Sequence, residues 1–213
     1  MPLEQPVEIP EQFDDVEQER DAATLGMWVF LTTEVLFFGV LFASYTIARI
    51  RFPDAFAEAS HHNVLTAGII ETVALLTSTF TMALAVRYIG RDRTWLSILF
   101  LVLTVLLGLA FLGIHWWEYH EHYREHLIPG LGFEFMGPAP DHVKLFFFLY
   151  YVMTGWHVVH LTIAVVVMIV ITVLTAKGKF SSRYHIPMEV SGLYWHFVDI
   201  VWVFLFPLFY LVS

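Results

Sequence analysis

The sequence predicts an all-α integral membrane bundle of five transmembrane helices, and three observations carry that prediction. Hydrophobic residues make up 58% of the 213 and charged residues only 15%, with a mean hydropathy of +0.67, against roughly 45–50% and about 25% in soluble domains. The apolar residues cluster into five runs, each meeting the requirement of about 20 consecutive residues for a bilayer span. Those runs are continuous and do not alternate with period two, which argues against a strand barrel.

The five runs cover Leu25–Ala48, Val64–Val86, Trp95–Trp117, Leu145–Thr175 and Val190–Val212. The fourth is longer than a bilayer demands, so its helix is expected to tilt or to project. Residues 1–23 form an acidic tail expected in the cytoplasm, and residues 24–213 one membrane domain. Seven of the 11 basic residues, Arg20, Arg87, Arg91, Arg93, Lys177, Lys179 and Arg183, fall on one side of these spans. Arg49, Arg51, Arg124 and Lys144 fall on the other, so the positive-inside rule places the N-terminus inside and the C-terminus outside. The first residues lack the basic and apolar regions of a cleavable signal, so span one is read as an uncleaved anchor. No internal repeat is visible, and the Pro- and Gly-bearing stretch Glu118–Asp141 reads as the one substantial loop.

Composition also excludes functions. The absence of Cys removes disulfides, thiolate metal sites, iron–sulfur clusters and covalently attached haem. A net charge of -9 does not suit nucleic acid as a partner, because phosphate binding needs a basic surface.

Ionisable groups at membrane depth cost on the order of 2.5–3.5 kcal/mol each, so each needs a reason. Glu34 has only Phe30, Leu31, Phe37 and Phe38 at helical spacing, which favours its neutral form, donating to a carbonyl, threonine or histidine. A proton- or lipid-related role and a purely structural one are both open there. Glu71 shares a stripe with Ala67, Gly68, Ala74 and Ser78, small residues that favour close helix packing. His157 and His160 lie on one face with Tyr150, Thr154 and Ala164, and Glu189, Gly192, His196 and Asp199 form a continuous face of span five. Such stripes are expected to face protein. His115, His157, His160 and His196 keep a bis-histidine haem in view, although the crowding aromatics favour packed, hydrogen-bonded histidines. His122 and His126, with Glu118, have the spacing to chelate a metal on a helix; a solvated helix end is the plainer reading. No catalytic residue and no metal site are assigned.

Three segments resemble subunit III of the haem-copper respiratory oxidases. They are Trp28-Val-Phe-Leu-Thr-Thr-Glu34-Val-Leu-Phe-Phe-Gly39, Gly155-Trp156-His157-Val-Val-His160 and, most specifically, Glu189-Val-Ser-Gly-Leu-Tyr194-Trp195-His196-Phe197-Val198-Asp199-Ile-Val-Trp202. Glu118-Tyr119 is a weaker match. The resemblance runs from about Ala23 to the C-terminus and points to the short five-helix bacterial form. It implies a non-redox subunit of a proton-pumping terminal oxidase of the aerobic respiratory chain, in the bacterial inner membrane. Such a subunit has no active site of its own and packs on subunit I, with subunit II in the same complex and haem and copper in those partners. It holds structural phospholipids and supports proton uptake, in which Glu34, Glu71, His157, His160, Glu189, His196 and Asp199 are the intramembrane candidates. Arg87, Arg91, Arg93, Lys177, Lys179 and Arg183 are candidates for lipid headgroups. Glu34 matches the cytochrome c oxidase branch and Glu71-Thr72 the quinol oxidase branch, with cytochrome c oxidase favoured. A haem-bearing electron-transfer anchor, the accessory protein of a quinol oxidase or nitric oxide reductase, and a transporter through Glu34 and Glu71 are the rivals. Paired, broken helices, the mark of many transporters, are absent from the sequence pattern.

Overall fold

The computed structural model describes residues 15–130, 132–135, 137–182 and 184–211. Residues 1–14 of the acidic tail and Arg183 lie outside the described residues. Six helices are found among the rest: α1 (Val16–Arg51), α2 (Pro53–Ser60), α3 (Leu65–Ile89), α4 (Thr94–Arg124), α5 (Pro140–Ala176) and α6 (Ile186–Tyr210). All but α2 are long and apolar enough to cross a membrane.

Helix α1 starts inside the stretch read as a tail. Asp15 caps it by accepting the Gln18 N–H at 2.7 Å, with Glu17 and Glu19 in the first turn and Arg49 and Arg51 in the last. Those charges complement the helix dipole at both ends. At 37 residues α5 is the longest helix, as its apolar run suggests, and α1 has 36. At about 1.5 Å per residue each is about 55 Å long, well beyond a hydrocarbon core of about 30 Å.

Helix α4 continues to Arg124, so Glu118 stands inside the helix and the connecting loop is shorter than the sequence suggests. The intervening residues are polar, but their backbone bonds are made within the helix, so loss of hydropathy is not loss of helix. Helix α2 has only eight residues. Pro53 starts it at a position where a missing N–H costs nothing, and its buried Phe56 packs on Tyr45 and Phe146.

Helices α3, α4, α5 and α6 form a ring in which each packs on two others, and α1 lies outside it against α5 and α6. The apolar segment of α6 is the most buried of the five and that of α1 the least. A Cβ on Gly108 would stand 2.8 Å from the Trp195 ring and 3.0 Å from Val165, so only glycine lets the indole press against α4 there. On the outer faces, Thr32, Ser44 and Thr46 of α1 donate to the carbonyls four residues back, which satisfies their hydroxyls without an outside partner. The last carbonyls of α6 are taken by other segments. Tyr45 donates to Leu208 O, and Asn63 Nδ2 donates to Phe209 O at 3.0 Å.

Candidate functional site

Three polar sites occur within the spans, each built by a different pair of helices. In the first, Glu34 of α1 meets His160 of α5, with Oε2 and Nε2 3.0 Å apart. The His160 Nδ1 lies 2.7 Å from the Trp156 carbonyl oxygen. That oxygen can only accept, so Nδ1 carries a proton. The contact at Nε2 therefore involves one shared proton, either as a carboxylic acid donating to a neutral ring or as a carboxylate accepting from an imidazolium. Either way the pair is neutral. Phe38 packs on the His160 ring, Phe37 packs on Trp156, and Tyr194 of α6 donates to His160 O at 3.2 Å.

In the second site, Asp199 of α6 is buried against α3. Its Oδ2 accepts from Thr79, and from Ser78 Oγ at 3.3 Å, while Trp195 Nε1 donates to Ser78 Oγ at 3.0 Å. This fixes α6 on α3 at mid-span. The rest of the α6 stripe reaches the groove between α1, α3 and α6. Glu189 pairs there with Arg20 at 3.3 Å and with His185 at 3.3 Å, and His196 Nδ1 is buried without a hydrogen bond.

The third site is the most enclosed. Glu71 of α3 and Glu118 of α4 flank His115, whose Nδ1 is 3.2 Å from Glu71 Oε1 and 3.8 Å from Glu118 Oε2. Glu118 also accepts from the Val64 N–H at 3.2 Å, from Tyr150 OH at 3.0 Å and from Tyr210 OH. Next to it, Tyr119 and Thr154 share a 2.6 Å hydroxyl bond. Glu71 and His115 lie at similar distances along the chain from the turn joining α3 to α4, which puts them at one depth in an antiparallel pair. That is the sequence signal that could have joined them. Nothing in the sequence identifies Tyr150 and Tyr210 as donors to Glu118.

The sequence places His157 and His160 on one face, but they turn to different neighbours. His157 stacks on Trp202 and meets Phe111 edge to face, while His160 serves Glu34. Phe111, Tyr119, Tyr150 and Trp202 enclose the His115 ring. These rings are packed by aromatics. The His122–His126 chelate does not form, because α4 ends at Arg124 and His126 is exposed with φ +57°. Arg87, Arg91, Arg93, Lys177 and Lys179 are exposed together at the end of the bundle where α3 stops and α6 begins. Between the basic loops, Asp92 Oδ1 accepts from the Ser182 N–H at 3.1 Å. At the same end Tyr184 donates to Glu19 at 2.9 Å, and partial burial followed by that carboxylate raises the phenol above its ordinary range.

Comparison with known proteins places this helical arrangement. The family described as cytochrome c oxidase subunit III matches residues 15–213. The chain belongs to that family. Among its curated relatives is a protein of Staphylococcus saprophyticus, 27% identical over 200 residues that make up 94% of each chain. Others are proteins of Staphylococcus epidermidis, 29% identical over 202 residues, and Staphylococcus aureus, 28% over 201, again covering 94% of each chain. All three are named probable quinol oxidase subunit 3. Membership of this oxidase subunit family, with five membrane-length helices, makes the chain a multi-pass protein of the bacterial plasma membrane and a component of a multi-subunit oxidoreductase complex.

Proposed function

We propose that this chain is the non-redox subunit III of a proton-pumping haem-copper terminal oxidase that reduces oxygen to water. In this reading it packs on subunit I, stabilises it during turnover, and supports proton uptake. The supporting observation beyond family membership is the Glu34–His160 pair, a proton-sharing unit in the seam between α1 and the ring. A neutral pair that holds its proton between two atoms exposes no bare charge to lipid, and it stays neutral while passing that proton on only if it takes up another at the same time. The haems and copper reside in subunits I and II. The exposed arginines and lysines Arg87, Arg91, Arg93, Lys177 and Lys179 bind anionic phospholipid headgroups, at about 1 kcal/mol per residue. The basic end faces the cytoplasm, which puts the N-terminus inside and the C-terminus outside.

The deciding experiment is purification of the intact complex in mild detergent. The reading expects large haem- and copper-bearing polypeptides to co-purify with this chain. It also expects Glu34→Ala to shorten the complex's active lifetime during turnover while the haem spectrum stays unchanged. Co-purification with a copper-free partner would overturn it in favour of a nitric oxide reductase accessory role. A C-terminal reporter active only in the cytoplasm would overturn the orientation. As to the donor, the relatives' names and the Glu71-Thr72 pair favour a quinol over cytochrome c. Oxygen uptake driven by a soluble quinol, but not by reduced cytochrome c, is the expected result.

A further inference from the structure

We propose that Glu71, His115 and Glu118 form a binding site for one divalent transition-metal cation in the outer part of the α3–α4 pair. The three residues offer one ligand atom each within 4.8 Å of one another, and all three are buried. The carboxylate oxygens lie 3.2 Å and 3.8 Å from His115 Nδ1, which brackets the spacing of about 3.4 Å that ligand atoms take around a tetrahedral ion held at about 2.1 Å. One imidazole and two carboxylates form a donor set suited to zinc and to neighbouring ions of the first transition row.

Two further observations point to a ligand. Glu71 Oε2 is buried and makes no hydrogen bond. That oxygen is left over after Oε1 has met His115, and a cation held by both oxygens of Glu71 gains its fourth donor there. His122 is the second observation. It is 1% exposed, its ring nitrogens make no hydrogen bond to another side chain, the His62 backbone being its polar neighbour, and it lies on the same face of α4 as His115 and Glu118. Its ring packs against Tyr150, the tyrosine that donates to Glu118.

Charge and support agree with this. Among the described residues, no Lys or Arg pairs with either carboxyl group. A bound dication would balance both carboxyl groups in their ionised form, which this aromatic enclosure otherwise disfavours. Glu118 is held in place by Val64, Tyr150 and Tyr210, the outer hydrogen bonds that orient a metal-binding carboxylate. At this end of the bundle His62 is exposed, and its ring and that of His122 both contact Phe147.

The test uses the intact complex purified from membranes, equilibrated with zinc, gel-filtered and analysed for metal content. The expected result is one zinc retained per copy of this chain, with X-ray absorption at the zinc edge showing one imidazole nitrogen and carboxylate oxygens. Glu71→Gln and His115→Asn should each weaken retention at least tenfold, whereas His120→Ala with His126→Ala, both exposed, should leave it unchanged. No retained zinc, equal retention in Glu71→Gln, or loss in the exposed-histidine variant would overturn the proposal. So would two or more imidazoles around the zinc in the wild-type complex, a readout that stands even if a cluster variant fails to assemble.

Discussion

Glu34 and His160 retain 18% and 12% side-chain exposure in the seam between α1 and the ring, whereas Glu71, His115 and Glu118 retain 0%, 2% and 0% within it. Both sites set carboxyl oxygen against imidazole nitrogen at 3.0–3.2 Å. They differ in what else holds them. The seam pair is a single contact backed by the Trp156 carbonyl, so loss of one member strands one partner. Glu118 in the ring is fixed by donors from three separate segments, so loss of one member strands several. The seam therefore leaves its carboxyl group open to a reagent, and the ring interior holds groups that fix geometry.

Glu118→Ala tests the ring side of that contrast and should have the largest effect. It strands the Val64 N–H and the hydroxyls of Tyr150 and Tyr210, at about 1–3 kcal/mol each. The expected outcome is near-complete loss of this chain from the purified complex. Wild-type recovery would show that the interior is no more constrained than the seam.

A smaller disturbance reaches the same site from outside. A Cβ on Gly68 would stand 2.9 Å from the rings of both Phe206 and Tyr210, so Gly68→Ala pushes Tyr210 away from Glu118. It should cost about 1–3 kcal/mol, the usual range for overpacking. Gly39 has open space around its Cβ position, and Gly39→Ala is the matching control. Thermal inactivation of the complex should separate the two, with a lower midpoint for Gly68→Ala only.

The seam side is tested by chemistry. An apolar carbodiimide should modify Glu34 in preference to Glu71 and Glu118, because Glu34 alone of the three keeps side-chain exposure, and its contact with His160 holds a shared proton. Glu34→Gln should abolish labelling and cost about 1 kcal/mol or less, since glutamine still bonds His160. Mapping the label by mass spectrometry decides the matter, and modification of Glu71 or Glu118 would break the contrast. The smallest effect belongs to Arg20→Ala. Its ion pair with Glu189 has 59% and 29% side-chain exposure, and such pairs contribute about 0–1 kcal/mol, so the thermal midpoint should scarcely move.

How much of this the sequence discloses follows from the range of each interaction. Lipid selects apolar residues along whole helices, so the five spans can be read from composition alone. The stripe Glu189, Gly192, His196 and Asp199 is local in the same sense, being set by helical period. Partners are not local. Glu34 and His160 are 126 residues apart, and Tyr210 and Glu118 are 92 apart, so which carboxyl meets which donor depends on how the helices pack. The short α2 escapes notice because eight residues carry too few periods to register. The end of α4 escapes for the opposite reason, since the polar pattern after Trp117 resembles a loop while the backbone remains helical.

Helix α6 contributes to several of the buried polar contacts described above. It brings Tyr210 to Glu118, Trp195 and Asp199 to Ser78, and Trp202 Nε1 to Thr72 Oγ1 at 3.0 Å. It also receives Tyr45 and Asn63 at its final carbonyls. In chain order α6 follows the other four spans. Before it packs, Glu118 lacks the Tyr210 donor, and Thr72 and Ser78 lack the two indole N–H groups. Arrival of α6 thus supplies the missing partners, and a chain that lacks α6 carries polar groups whose donors and acceptors in the bundle are absent.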